Sequence, residues 1–462
     1  MSSQSIPEAP LRRAVSAHRP DRLAVGRLVA FSALAMPIAA AQVPLTAYLP
    51  ALLSERFGIE LSTLGLIFLV EKIWGAVADP VIGVLSDQTH SRFGRRRVWI
   101  AGGGLLFAIA TYLLFFPPLA MTPLYLAAAL FAFYLAWSMI QIPFFAWSAE
   151  ISGDYDERTR VATYQSVTSA LALLLILILP TIADQIAPKD AGLKLGVMGG
   201  LLLAMLAVAL PLTLRAFPEA PIHKVRAKLA LGAALRVIWG TPLILRVLAS
   251  DFAVMLGQSI RGALFILFVS IYMGAPKWAS GLFLAQFIFG IAAGPIWMTI
   301  GYRLGKHRAA VAAELTQVAI NLGLLFVQPG RLPLLVALSL AQGLAQGSGN
   351  LMLRSMVADV ADQVQLETGE DRTGLFFSVF SISGKAAMAV AVGIALPLVG
   401  WLGFDPRAAE NTPEALRGLL IVFAVGPALA HLVSAAFVWG FPLDALAHAE
   451  IRRRLSARDA DA

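Results

Sequence analysis

Arg92-Phe93-Gly94-Arg95-Arg96-Arg97 and Arg303-Leu304-Gly305-Lys306-His307-Arg308 are two copies of one pattern, 211 residues apart. Each copy ends one long apolar run and starts another. A second match accompanies it. Ala149-Glu150 precedes Glu157-Arg158-Thr159 after the fourth run, and Ala358-Asp359 precedes Asp371-Arg372-Thr373 after the tenth. Self-similarity at one long offset marks a duplicated unit. Each unit holds six apolar runs, and six crossings return the chain to its starting side, so the copies lie parallel. The expected fold is an all-α membrane protein with twelve transmembrane helices in two parallel six-helix repeats.

The composition requires lipid. Of 462 residues, 58% are hydrophobic and 14% charged, against about 45–50% and about 25% in soluble domains. A chain of this size cannot enclose that much apolar surface in water. A hydrocarbon core of about 30 Å takes about 20 apolar residues per helix. Runs at 27–52, 61–86, 98–117, 121–148, 161–184, 195–214, 245–273, 278–300, 309–328, 332–357, 373–400 and 416–440 supply twelve. The absence of cysteine excludes a disulfide framework, a thiolate nucleophile and a cysteine metal site. Neither HExxH nor GxSxG occurs, so no enzyme is expected, and no cofactor beyond a coupling ion (H⁺ or Na⁺).

Lys and Arg set the orientation. With both termini inside, 26 of the 36 fall on the inner side, 7 on the outer side and 3 within spans. The net charge of +8 then reports loops facing an anionic inner leaflet, not a nucleic-acid partner. The expected layout is a disordered cytoplasmic tail at 1–24, an N-terminal bundle at 25–214, a cytoplasmic linker at 215–244, a C-terminal bundle at 245–440 and a cytoplasmic tail at 441–462. Within the linker, Lys224 to Trp239 has the pattern of an amphipathic surface helix. The chain is expected to act as a monomer in the cell's inner membrane.

Ionisable groups inside spans mark function by default, because lipid penalises them. Asp79 lies near the middle of the second span, in Glu71-Lys72-Ile73-Trp74-Gly75-Ala76-Val77-Ala78-Asp79-Pro80. A carboxylate there can exchange a proton or offer oxygen to Na⁺. Lys72 and Lys385 are its candidate partners. Asp251 and Arg261 are ten residues apart in the seventh span and are placed to pair with each other or with a solute; Glu314 reads as a snorkelling or packing residue. Gln42, Gln141, Gln165, Trp74 and Lys385 are candidate solute contacts. At the inner loops, Arg92, Arg95, Arg158, Arg303 and Arg308 face the acids Asp87, Glu150, Asp359 and Asp362. Such pairs are expected to latch an inner gate.

Ile73 to Gly83, followed by Asp87-Gln88-Thr89-His90-Ser91-Arg92-Phe93-Gly94-Arg95-Arg96-Arg97, resembles the glycoside–pentoside–hexuronide:cation symporters of the major facilitator superfamily. Gln141-Ile142-Pro143-Phe144 and the run from Met356 to Lys385 fit as well. The resemblance implies cation-coupled symport of a sugar or glycoside by alternating access, with partners limited to a small-molecule solute, a coupling cation and the lipid bilayer. It implies a cation site at Asp79 and Ser138, and a helix-11 lysine at Lys385. Gly75 stands where sodium-coupled members place a further aspartate, which points to H⁺ as the coupling ion rather than Na⁺. Ala39, Gln141 and Gln165 replace sugar-binding charges, so a more apolar amphiphile such as a lysolipid is the alternative solute.

Overall fold

The computed structural model describes residues 22–118, 120–151, 155–219, 231–346, 349–370 and 372–461, with no strand among them. Among the described residues eleven helices are long and apolar enough to cross a membrane: α1 (Val25–Phe57), α2 (Leu61–Gln88), α3 (Arg95–Phe115), α4 (Pro123–Glu150), α5 (Tyr155–Ile186), α6 (Ala191–Ala216), α7 (Pro242–Tyr272), α8 (Pro276–Leu304), α9 (Lys306–Phe326), α11 (Thr373–Trp401) and α12 (Pro413–Val438). In the tenth place, Leu332–Gln346 and Gly349–Thr368 flank residues 347–348 and are together called α10. The expected twelve-span architecture is observed.

Helices are forced here because lipid offers no partner to a backbone amide, and the ends are set by local chemistry. Proline opens α4, α7, α8 and α12, where its missing N–H costs nothing. The hydroxyls of Thr122 and Thr412 and the carboxylate of Asp190 accept from the N–H groups of Tyr125, Ala415 and Leu193, each closing an N-terminus. The first helix of each half carries a single wide turn, Pro44–Tyr48 in α1 and Phe268–Tyr272 in α7. The duplication therefore reaches below the loops.

The halves meet along α2 against α11, α5 against α8 and α1 against α7. Contact is tight at one end only. A Cβ on Gly65 of α2 would lie 2.5 Å from the Pro397 ring of α11, and one on Gly393 would lie 3.0 Å from Leu69. Towards the basic loops the helices part. The first turns of α2 expose one residue each (Ser62, Leu66, Val70); from Ile73 two are exposed per turn, as in Ala76 and Val77 or Pro80 and Val81. In α8 no residue from Ala279 to Phe287 is exposed, whereas two per turn are from Ile288 onward. The molecule is closed at the end away from the basic loops and open at the end that bears them.

Within the linker, Leu231–Trp239 is helical, the latter part of the amphipathic stretch; 220–230 lie outside the described residues, as does the tail at 1–21. The C-terminal segment is not a free tail. Ala445–Asp461 forms a helix that buries Ile451 and Leu455 against the C-terminal half.

Candidate functional site

Asp79 sits on α2 one residue before Pro80, which has no N–H to return to the carbonyl of Ala76. Its carboxylate is held from both sides. The Ser138 hydroxyl of α4 donates to Oδ1 at 2.6 Å, and the Lys385 ammonium of α11 donates to Oδ2 at 2.7 Å. The second bond crosses between the halves. Lys385 is 57% exposed and Asp79 22%, so the pair faces the open end. Wet ion pairs contribute only about 0–1 kcal/mol, which suits a contact that is made and broken repeatedly. Of the two lysines proposed as partners, Lys385 takes Asp79. Lys72 instead lies 3.4 Å from Glu71, donates to the Tyr134 hydroxyl and stands 3.8 Å over that ring.

The other solute candidates are less concentrated. Gln42 of α1 is exposed, Gln141 of α4 half-buried and Gln165 of α5 buried with its amide nitrogen unpaired. Trp74 does not join Asp79: five residues along α2 turn it about 140° away, and its ring packs against Phe131. Asp251 and Arg261 do not pair. Arg261 donates to Asn321 at 2.8 Å, while a carboxylate oxygen of Asp251 lies 3.7 Å from the Cβ position of Gly384. Glu314 does not snorkel. It is buried 2.6 Å from His431 Nδ1, linking α9 to α12.

At the basic loops the charge pairs among the described residues join neighbouring helices within each half. Arg95 reaches Glu150 at 2.7 Å, and Arg96 reaches Asp87 at 2.6 Å, Glu150 at 3.1 Å and the Ser86 hydroxyl at 2.9 Å. In the second half, Lys306 reaches Asp359 at 2.7 Å, while Asp362 lies 2.9 Å from His448 and 3.5 Å from Arg452 on the C-terminal helix. Among the described residues Arg92, Arg303 and Arg308 join no ion pair; all three are exposed. The side chain of Arg158 lies outside the described residues. The repeated glycine has a cause. Gly94 and Gly305 hold φ of 102° and 85°, a region L side chains rarely adopt. A Cβ on Gly94 would also lie 2.8 Å from Glu219, whose two oxygens accept from the N–H groups of Arg95 and Arg97 at 2.6 Å.

The closed end has a centre that sequence reading passed over. Asp184 of α5 is fully buried, 2.6 Å from Lys194 of α6, and accepts the Ser280 backbone N–H of α8 at 2.9 Å. One N-terminal ion pair therefore anchors the C-terminal half. Nearby, Gln185 donates to the Lys277 carbonyl at 2.9 Å, and the Tyr48 and Phe283 rings meet edge to face. Both charges sit at span ends, where position alone does not separate a gate from a lipid-interface residue.

The family model described as MFS/sugar transport protein matches residues 30–445. The chain belongs to that family. It is a multi-pass membrane transporter, not an enzyme. An uncharacterized symporter of Synechocystis is 25% identical over 89% of this transporter and 93% of that relative. A glucuronide carrier protein homolog of Escherichia coli is 21% identical over 84% and 85%. The crystal structure of a point mutant of the nucleoside transporter NupG superposes with a TM-score of 0.66 at 12% identity, over 90% of this transporter and 99% of that chain. That likeness concerns the fold.

Proposed function

We propose that the protein is an H⁺-coupled symporter of a sugar or glycoside-like solute, working by alternating access with Asp79 as the coupling group. The observation that carries this reading is the Asp79–Lys385 bond, an acid from one half held 2.7 Å from a base of the other. Protonating Asp79 removes the charge that holds Lys385. The lysine is then free to meet an oxygen of the solute, and the two halves lose one of their central links. A proton fits this site better than Na⁺. Lys385 already fills one face of the carboxylate, and a second cation would meet its like charge.

The open end is the cytoplasmic one in this reading, because it bears the basic loops, and the membrane is a cell's inner membrane. Ser138 orients Asp79, while Gln42, Gln141 and Gln165 offer amides to solute hydroxyls; carriers named for symport and for a glucuronide support the solute class. The clasps at Arg95, Arg96 and Lys306 keep each half rigid, and the Asp184–Lys194 pair is the outer gate.

The test uses purified protein in proteoliposomes. Thermal stabilisation by methyl glycosides, nitrophenyl glycosides and glucuronides identifies a solute, and its labelled form is then followed. Uptake should require an inward proton gradient, and Asp79→Asn should abolish accumulation while leaving exchange. Accumulation by Asp79→Asn, or Na⁺-dependent uptake that survives a proton uncoupler, refutes the proposal.

A further inference from the structure

We infer that Glu71 is a second proton-binding carboxylate of the transport cycle, placed on the closed side of Asp79 and filling the space left by Gly75. The inference rests on the H⁺-coupled reading and deepens it. Glu71 lies eight residues from Asp79 along α2, about 12 Å at 1.5 Å per residue, towards the closed end. It is 1% exposed; its ionic contact is Lys72 at 3.4 Å, and the Lys72 ammonium and the Tyr134 hydroxyl are the hydrogen-bonding groups beside it, neither meeting its oxygens with full hydrogen-bond geometry. A carboxylate so loosely held at that depth is costly as an anion, so purely structural selection would replace it with an apolar side chain.

What surrounds Glu71 explains how it is tolerated. A Cβ on Gly75, one turn further on, would lie 3.9 Å from Glu71 Oε1. A carboxylate built on residue 75 would therefore compete for the place that the Glu71 side chain reaches from residue 71. The groups acting on Glu71 are Lys72 and Asp79 of its own helix and Tyr134 of α4; Lys385 of α11 acts in turn on Lys72. Among the described residues, neither α1 nor α3 brings an ionisable group to it. Glu71, Lys72, Asp79 and Lys385 make two acids and two bases, a balanced set to which a proton adds one charge. With the inner end open, Asp79 meets water and Glu71 does not. Opening the outer end separates α2 from α11 beside Leu69 and Gly393, at the level of Glu71 but about 200° round the helix from it, so water must come round α2 to reach the Glu71 side that Tyr134 of α4 lines. The carboxylate nearer the outside then receives the proton first, and Asp79 releases it inside.

The experiment needs no solute. Proteoliposomes on a solid-supported membrane receive a pH jump, and separately a Na⁺ jump, while the displaced charge is recorded for wild type, E71Q, E71D, D79N and E71Q/G75D. The pH jump should displace charge in wild type, about half of it in E71Q and in D79N, and nearly all of it in E71D. Moving the carboxylate one turn in E71Q/G75D should restore the wild-type charge, an effect that shape alone does not produce. If E71Q equals wild type while D79N is reduced, or if folded E71Q/G75D stays with E71Q, the inference on Glu71 is overturned and the role of Asp79 stands. If the wild type answers Na⁺ and not pH, the coupling proposal falls, and this inference with it.

Discussion

Gly65→Ala tests the closed end at its tightest point. The new Cβ would lie 2.5 Å from Pro397 Cδ, 2.8 Å from Cγ and 3.2 Å from the Val392 carbonyl oxygen. Carbon atoms in good contact sit about 3.5–4.0 Å apart, so α2 and α11 must separate by about 1 Å. The Pro397 ring cannot rotate aside as a free side chain would. Overpacking of this kind costs about 1–3 kcal/mol, and the cost falls only on the state in which these helices touch. A differential of that size moves a two-state equilibrium about 5–150-fold, away from the closed end and towards its opening. The chain has no cysteine, which makes the measurement clean. Ser280 is 1% exposed at the α5–α8 contact, and Ser280→Cys replaces one small side chain with another. Its reaction with an impermeant maleimide added outside proteoliposomes should speed up in the Gly65→Ala background, by a factor in that range if opening limits the reaction. Gly294→Ala, where an added Cβ meets nothing within 4 Å, should leave the rate unchanged. Equal labelling in all three, with the protein folded, would show that the Gly65–Pro397 contact does not limit opening.

Asp184→Asn leaves Lys194 buried without its counter-charge, which costs about 3–5 kcal/mol; melting temperature should fall and outside labelling of Ser280→Cys should rise. Asp184→Asn/Lys194→Met removes both charges and should recover most of the melting temperature while keeping the faster labelling. Arg96 is buried and bonded to Asp87, Glu150 and Ser86, so Arg96→Ala strands Asp87, leaves Glu150 to Arg95 alone and should lower the melting temperature more than Arg92→Ala, whose side chain is exposed. Gly94→Ala combines a strained φ with a contact against Glu219 and should destabilise by about 1–3 kcal/mol, read as a lower melting temperature in detergent.

Sequence alone reveals the fold because lipid leaves few alternatives. Span length, the count of Lys and Arg in the loops and the duplicated Gly94 and Gly305 motifs each follow from one-dimensional rules. Asp79 stands out for the same reason, as an acid where acids are excluded. Pairing is different. That Lys385 and not Lys72 meets Asp79 depends on how α11 crosses α2, and residues 306 apart in sequence carry no periodic signal of it. Asp184 and Lys194 flank a loop and look like interface charges until the α5–α6 hairpin folds back and α8 covers them. Glu71 stands inside the second span in sequence, but only burial separates it from a charge that faces a water-filled opening.

The symmetry of the clasps and the asymmetry of the centre together constrain the mechanism. Arg95 and Lys306 are 211 residues apart, Glu150 and Asp359 are 209 apart, and each pair closes at 2.7 Å within its own half. Ion pairs that fasten neighbouring helices of one half resist deformation inside that half, so the motion must be concentrated between halves. Between halves the charges do not repeat. The residue 211 positions after Asp79 is Gly290, and the residue 211 positions before Lys385 is Leu174. At the central contact the acid comes from one half and the base that crosses to meet it from the other. Among the described residues one exposed ion pair joins the halves in the middle, worth about 0–1 kcal/mol, and at the closed end the buried Asp184 carboxylate holds the other half through the Ser280 N–H, a hydrogen bond to a charged group worth about 1.5–3 kcal/mol. Under the proposed H⁺ coupling, a proton on Asp79 releases the centre while the closed end stays shut. Opening the outside has to draw on something further, and in a symporter the binding free energy of the solute is what remains available.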